Sequence, residues 1–207
     1  MSSPPTGTKK RILDTALRMI QEKSYNAFSL SELAERTDIK KASIYYHFPS
    51  KEDLISKTMK HYHDKVVYLT KKLNTMTDDS WERLDNYFKF FENFVDQELI
   101  CPGTIIGSEF NAVPEEVNIE LNSLFDYYIE WLSEVLEFGA QKGELVLNDP
   151  PRDAAIHFAS AIAGATILTR SHKNKEYFET TRDVLLKSVS PDGQIRHTED
   201  LINQIQV

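Results

Sequence analysis

Apolar residues recur at helical spacing along most of this chain, and no segment alternates as a half-buried strand would. Ile12, Leu13, Ala16, Leu17 and Ile20 form one stripe, which predicts a first helix over residues 9–23 with Thr8 as N-cap. Ser29-Leu30-Ser31-Glu32 has the form of a capping box and announces a second helix ending near Thr37-Asp38. A short third helix is expected over residues 40–47, stopped by Pro49. Ser50-Lys51-Glu52-Asp53, a cap followed by acids, opens a long fourth helix. Along it Ile55, Met59, Tyr62, Val66, Leu69 and Leu73 step by four and three, a heptad-like seam.

The stretch "NTMTDDS" ends that seam, and further helices are expected over about 81–99, 104–111, 114–142, 152–172 and 175–189. Gly143 closes one of them and "SPDG" closes the last. Two arrangements fit residues 194–207: a short amphipathic segment through Ile195, Leu201, Ile202 and Ile205, or an untethered tail. Only seven glycines and eight prolines punctuate 207 residues, so the fold class is all-α.

Charge divides the chain. Residues 1–60 hold eleven Lys+Arg against seven Asp+Glu, whereas the whole chain carries a net charge of −8. A basic head is thus joined to an acidic body, and phosphates attract the first and repel the second. The single cysteine excludes an intrachain disulfide and fits a reducing, cytoplasmic setting. No apolar run approaches the roughly 20 residues that span a bilayer, and "MSSPPTGTKK" lacks the apolar core of a signal peptide.

The basic head carries the most informative stretch, "IKKASIYYHFPSKEDLI", residues 39–55. Three short helices with a tight turn before the third suggest a helix-turn-helix. At about 100° per residue, Ile44 and Phe48 share the inward face. Ala42 and Tyr46 then point outward, flanked by Ser43 and Tyr45. Lys40 and Lys41 sit at the helix tip that enters a major groove in this motif. Ammonium groups on Lys40, Lys41 and Lys51 suit phosphates. Tyr45, Tyr46 and His47 offer flat bodies with polar tips for a sugar-phosphate rail. Ser43 is short enough to bond a phosphate or a base edge, and Ala42 could touch a thymine methyl.

Residues 9–54, with "ILDTALRMIQEKSYNAFSLSELAERTDIKKASIYYHFPSKEDLI" as the matching stretch, resemble the DNA-binding domain of the TetR/AcrR family of bacterial one-component regulators. The run of an aliphatic residue, Tyr-Tyr-His-Phe and then Pro-Ser-Lys-Glu carries that resemblance. It implies phosphate contacts at Tyr45, Tyr46, His47 and Lys51, groove reading by Lys40, Lys41, Ala42 and Ser43, and DNA contacts from Ser29 and Ser31. Two positions depart from the family pattern: Asp38 stands at the turn usually held by Gly, and Lys40 where a Ser or Thr usually caps the third helix. The resemblance further implies a head over residues 1–54, a fourth helix from about 50 linking the two parts, an effector-binding and dimerisation domain over 55–190, and a tail over 191–207.

In the body, small residues stud "AAIHFASAIAGATIL", and Phe178, Val184, Leu185 and Val189 follow on the next helix. By resemblance these eighth and ninth helices pair with their copies in a homodimer; an internal core is the alternative. Aromatic residues crowd the fourth to eighth helices. Phe88, Phe91, Phe110, Tyr127, Trp131 and Phe158 are candidates to line a pocket for a small, largely apolar effector, against the plain alternative of core. Cys101, at a helix start, is a candidate redox thiol or else an inert buried one.

No Glu-x-x-His pair, phosphate-cradling Gly loop or nucleophile elbow occurs, so neither an enzyme nor a metal or cofactor site is expected. The expected function is that of a dimeric, ligand-responsive transcriptional regulator, a repressor, on double-stranded DNA. The alternative is a helical interaction module whose basic head docks a protein. DNA binding should weaken steeply with salt, and a packed protein interface should not.

Overall fold

A computed structural model describes residues 6–205. Among them are nine α-helices and no strand: α1 (Gly7–Lys23), α2 (Leu30–Thr37), α3 (Lys41–His47), α4 (Lys51–Met76), α5 (Ser80–Asp96), α6 (Pro102–Ser108), α7 (Glu115–Lys142), α8 (Pro151–His172) and α9 (Glu176–Val189), with a 3-10 turn at Ile202–Gln204. No described helix is long and apolar enough to cross a membrane.

The chain folds as two compact units. The first takes the chain up to Asp64 together with Pro102–Leu124; the second comprises Lys65–Cys101 and Phe125–Val207. This differs from the division expected at residues 54 and 55. The first unit keeps the start of α4 and recruits α6, which packs on α1.

In the first unit the α1 stripe of Ile12, Leu13, Ala16, Leu17 and Ile20 is buried, as are Leu33, Ile44, Phe48, Leu54 and Ile55, and α1 packs on α2. The turn between α2 and α3 is a Schellman closure: Ile39 N–H donates to Ala34 O at 3.1 Å and Asp38 N–H to Glu35 O at 3.2 Å. That closure needs a left-handed residue, and Asp38 supplies it at φ 50°. A short polar side chain tolerates this region better than most, so the turn forms without the usual glycine.

The capping box is a correction. Ser29 stands at the N-cap of α2 but makes no side-chain cap bond. Glu32 is drawn instead to Lys23 at 2.6 Å and to Arg36 at 2.7 Å. Two cations, Lys23 and Arg36, compete with a single backbone N–H for that carboxylate and prevail. Ser50 caps α4 as expected, accepting from Asp53 N–H at 3.0 Å.

In the second unit Leu84, Tyr87, Phe88 and Phe91 of α5 and Tyr128, Trp131 and Leu132 of α7 are buried. Gly139 of α7 passes so close to α5 that a Cβ there would lie 2.7 Å from Ser80 Cβ. α8 and α9 pack lengthwise on each other. The tail is not loose. Trp81 Nε1 donates to Arg196 O at 2.7 Å, Asn86 Nδ2 to Glu199 O at 3.0 Å, and Ile202 N–H to Asn86 Oδ1 at 2.9 Å. Residues 206 and 207 of the expected tail lie outside the described residues.

Candidate nucleic-acid interface

α3 turns one face in and one face out, as its periodicity predicts. Ile44 and Phe48 are buried, while Lys40, Lys41, Ala42, Ser43, Tyr45 and Tyr46 are exposed. Tyr46 is the extreme, 85% exposed for a large aromatic side chain. An apolar ring left so bare in a well-packed unit serves no packing purpose. His47 is half-buried, its ring edge-on to Tyr46 with centroids 5.3 Å apart.

A groove of about 630 Å³ runs along this face and brings Thr8 and Arg11 of α1 beside Lys40, Ala42, Ser43, Tyr46 and His47. Thr8 and Arg11 were not expected here. The basic run Lys9-Lys10-Arg11 was their only trace in the sequence, and nothing local says that the start of α1 lies beside α3. Ser31 is exposed on α2, whereas Ser29 is half-buried at its N-cap.

Lys51 is a correction. Its Nζ donates to Tyr25 O at 2.9 Å and lies 4.2 Å from the centroid of the Tyr25 ring. The ammonium is turned onto the α1–α2 corner, not out to solvent. Burial pushes it below the ordinary lysine range, against the opposing pull of Glu52 and Glu109. The same corner is held from the residue just past α6: Glu109 accepts from Tyr25 N–H at 2.7 Å, Asn26 Nδ2 at 2.7 Å and Ser24 Oγ at 3.1 Å. Ser24 takes a positive φ of 85° to make the bend. Lys51 and Glu109 therefore brace the frame that carries α3.

A second network locks α1 to α2. Arg36 bridges Glu22 at 2.7 Å and Glu32 at 2.7 Å, and Arg18 adds a bond to Glu22 at 3.0 Å. Burial raises the Glu22 carboxyl, but the two guanidiniums outweigh it and hold it below the ordinary glutamate range.

The pocket residues scatter. In the second unit an apolar cavity is lined by Val66, Leu69, Thr70, Leu73, Tyr87, Phe90, Tyr128, Trp131 and Ile202. Of the six expected residues only Trp131 lines it. Phe88 and Phe158 are core, their rings 6.0 Å apart, and Phe91 packs edge-on to Tyr87 at 5.0 Å. Tyr127 reaches the wall indirectly, its hydroxyl 2.6 Å from Thr70 Oγ1. Phe110 belongs to the first unit and is exposed. The aromatic residues of α5 and α7 are largely consumed by packing. Cys101 is 2% exposed, which withholds the thiol from oxidants that a sensor must meet.

Residues 12–58 match the family model of the bacterial regulatory proteins, tetR family. The chain is 39% identical over 69 residues to YuxN of Bacillus subtilis, described only as an uncharacterized HTH-type transcriptional regulator. It is 28% identical over 116 residues to IcaR of Staphylococcus epidermidis, the HTH-type negative transcriptional regulator of the biofilm operon icaADBC. These stretches cover 33% and 55% of the chain but only 23% and 58% of the two relatives, less than two thirds of either. A solved TetR-family regulator from Agrobacterium tumefaciens superposes with a TM-score of 0.84 at 29% identity, covering 88% of this chain and 97% of that one. Residues 12–58 therefore form a helix-turn-helix domain of the tetR-family type, and the whole chain shares the fold of solved TetR-family regulators.

Proposed function

We infer that this chain is a dimeric, DNA-binding repressor that acts in the cytoplasm and releases its operator when a small, largely apolar effector binds the second unit. The observation that carries the reading is the single exposed face on which Lys40, Lys41, Ala42, Ser43, Tyr45 and Tyr46 stand together. In this reading Lys40, Lys41, Ala42 and Ser43 enter the major groove. Tyr45, Tyr46 and His47, with Ser29 and Ser31, lie along the backbone. Arg11 and Thr8 join the contact surface from α1. Lys51 keeps its place in the region but acts as a brace and not as a phosphate contact. IcaR, described as a negative regulator, favours repression over activation.

Dimerisation through α8 and α9 is supported by what those helices leave bare. Ile156, Ile167 and Leu168 on α8 and Val184 on α9 are exposed, Val184 at 60%. Gly164 offers open space on the same helix, where a second backbone can approach. Contiguous exposed aliphatics of this kind mark association surfaces. A twofold pair would set two α3 helices on half-sites about 34–36 Å apart and so read a pseudo-palindrome. An effector that fits better when the heads are wrongly spaced shifts the population away from the DNA-bound form, with α4 as the lever. The burial of Cys101 favours the inert thiol over the redox role.

Replacing Tyr46 tests the reading. Because the ring is almost wholly exposed, Tyr46→Ala should leave the melting temperature unchanged. Retardation of a duplex taken from upstream of the protein's own coding sequence should weaken at least tenfold. Unchanged retardation would remove α3 from the interface.

A further inference from the structure

We propose that residues 194–205 form a gate over the effector cavity, with Ile202 as its plug, and that an uncharged apolar ligand enters only when this strap releases α5. The proposal rests on the effector reading above and deepens it. The cavity has room for only about 20 Å³, little more than one water, whereas small-molecule pockets run to several hundred. Something must therefore move before a ligand fits. Eight of the nine lining residues belong to α4, α5 and α7, whose backbones are tied into long helices. The ninth, Ile202, belongs to a strap with only one helical turn of its own.

The strap is held by a polar stripe on α5. Asp85 accepts from Thr198 Oγ1 at 2.6 Å, and Lys89 Nζ donates to Thr198 O at 2.7 Å. Asn86, fully buried, donates to Glu199 O and accepts from Ile202 N–H, which fixes the backbone on both sides of Leu201. Asn93 and Asn203 exchange side-chain bonds at 2.7 and 3.2 Å. Arg196 pairs with Asp79 at 2.5 Å. Asp85, Asn86, Lys89 and Asn93 recur at the spacing of one helix face, and a face meant for permanent burial would be apolar there. Asp85, Asn86, Lys89 and Asn93 can instead exchange the strap for water with little loss, because water satisfies the same donors and acceptors. The latch is polar and reversible, and the plug it positions is apolar. The cavity wall exposes no polar surface. Thr70 of that wall spends its hydroxyl on Val66 O at 3.0 Å and on the Tyr127 hydroxyl at 2.6 Å. An uncharged aromatic or aliphatic molecule with at most one hydroxyl or carbonyl suits such a wall.

The reciprocal Asn93–Asn203 contact brings the strap and α5 within reach of a short cross-linker. The full chain carrying Asn93→Cys and Asn203→Cys, with Cys101→Ala to remove the native thiol, is closed with a two-carbon bis-methanethiosulfonate linker, the closure is verified by mass, and the product is compared with the same protein after reduction. Uptake of the neutral dye N-phenyl-1-naphthylamine is measured by fluorescence and helicity by circular dichroism. The same dye is titrated into Ile202→Ala. The gate predicts at least tenfold weaker uptake in the linked form than in its own reduced form, with unchanged helicity. It also predicts at least tenfold stronger uptake in Ile202→Ala than in the wild type. Equal uptake by linked and reduced forms overturns the gate while leaving the effector cavity standing. No uptake by any form overturns the gate together with the cavity that it serves.

Discussion

At the scale of single residues, two lysines ten positions apart have opposite fates. Lys41 stands exposed at the tip of α3, and Lys51 folds back onto Tyr25 O. Each phosphate neutralised by a lysine contributes about one to the slope of log affinity against log salt. Lys41→Gln should therefore reduce that slope by about 1 without changing stability. Lys51→Gln should leave the slope alone and cost about 1–2 kcal/mol of folding stability, from a lost charged hydrogen bond and cation–π contact. A reduced slope for Lys51→Gln would return it to the phosphate surface. The outward set on α3 was legible because a helix of known start fixes every face by angle alone. The fate of Lys51 was not, because its partner lies on a corner 26 residues earlier that is itself held by Glu109.

At the scale of elements, α1, α2 and α3 owe their mutual placement to a buried aliphatic stripe and a charged clasp. Glu22 titrates below the ordinary glutamate value of 4.5 because Arg36 and Arg18 outweigh its burial. The sign follows from that direction. A carboxyl lowered in the folded state stabilises above its unfolded value, and the contribution is lost as pH falls from about 4.5 through the lowered folded value. Urea unfolding followed between pH 7 and pH 3 should show this loss. Arg36→Gln should flatten the acid limb, and an identical limb in that variant would exclude the clasp. The helices were visible in the sequence to within about three residues at their ends, since the 3.6-residue period needs no tertiary information. The clasp was hidden: Glu32 looked like half of a capping box, and only the approach of Lys23 and Arg36 decides otherwise.

At the scale of the whole molecule, the proposed dimer rests on the exposed aliphatic residues of α8 and α9 in the second unit. Val184→Asp places a carboxylate at the most exposed aliphatic position of that face. It should convert a dimer to a monomer in sedimentation velocity with the helical content intact. A dimer that survives the change would move the interface off these helices. The apolar cavity of the second unit was the least legible feature. Rich aromatic content pointed to α5 and α7, but Ile202, which completes the wall, is positioned by bonds to α5 from a segment more than a hundred residues further along. No local pattern carries that pairing.

The central claim is that α3 reads a specific operator, and competition anisotropy tests it most directly. A labelled duplex from upstream of the protein's coding sequence is bound at near-physiological salt and challenged with unlabelled upstream duplex or a random duplex of equal length. The account predicts that the upstream duplex competes at least a thousandfold better, within the usual range for specific sites. Equal competition by the two duplexes would contradict it.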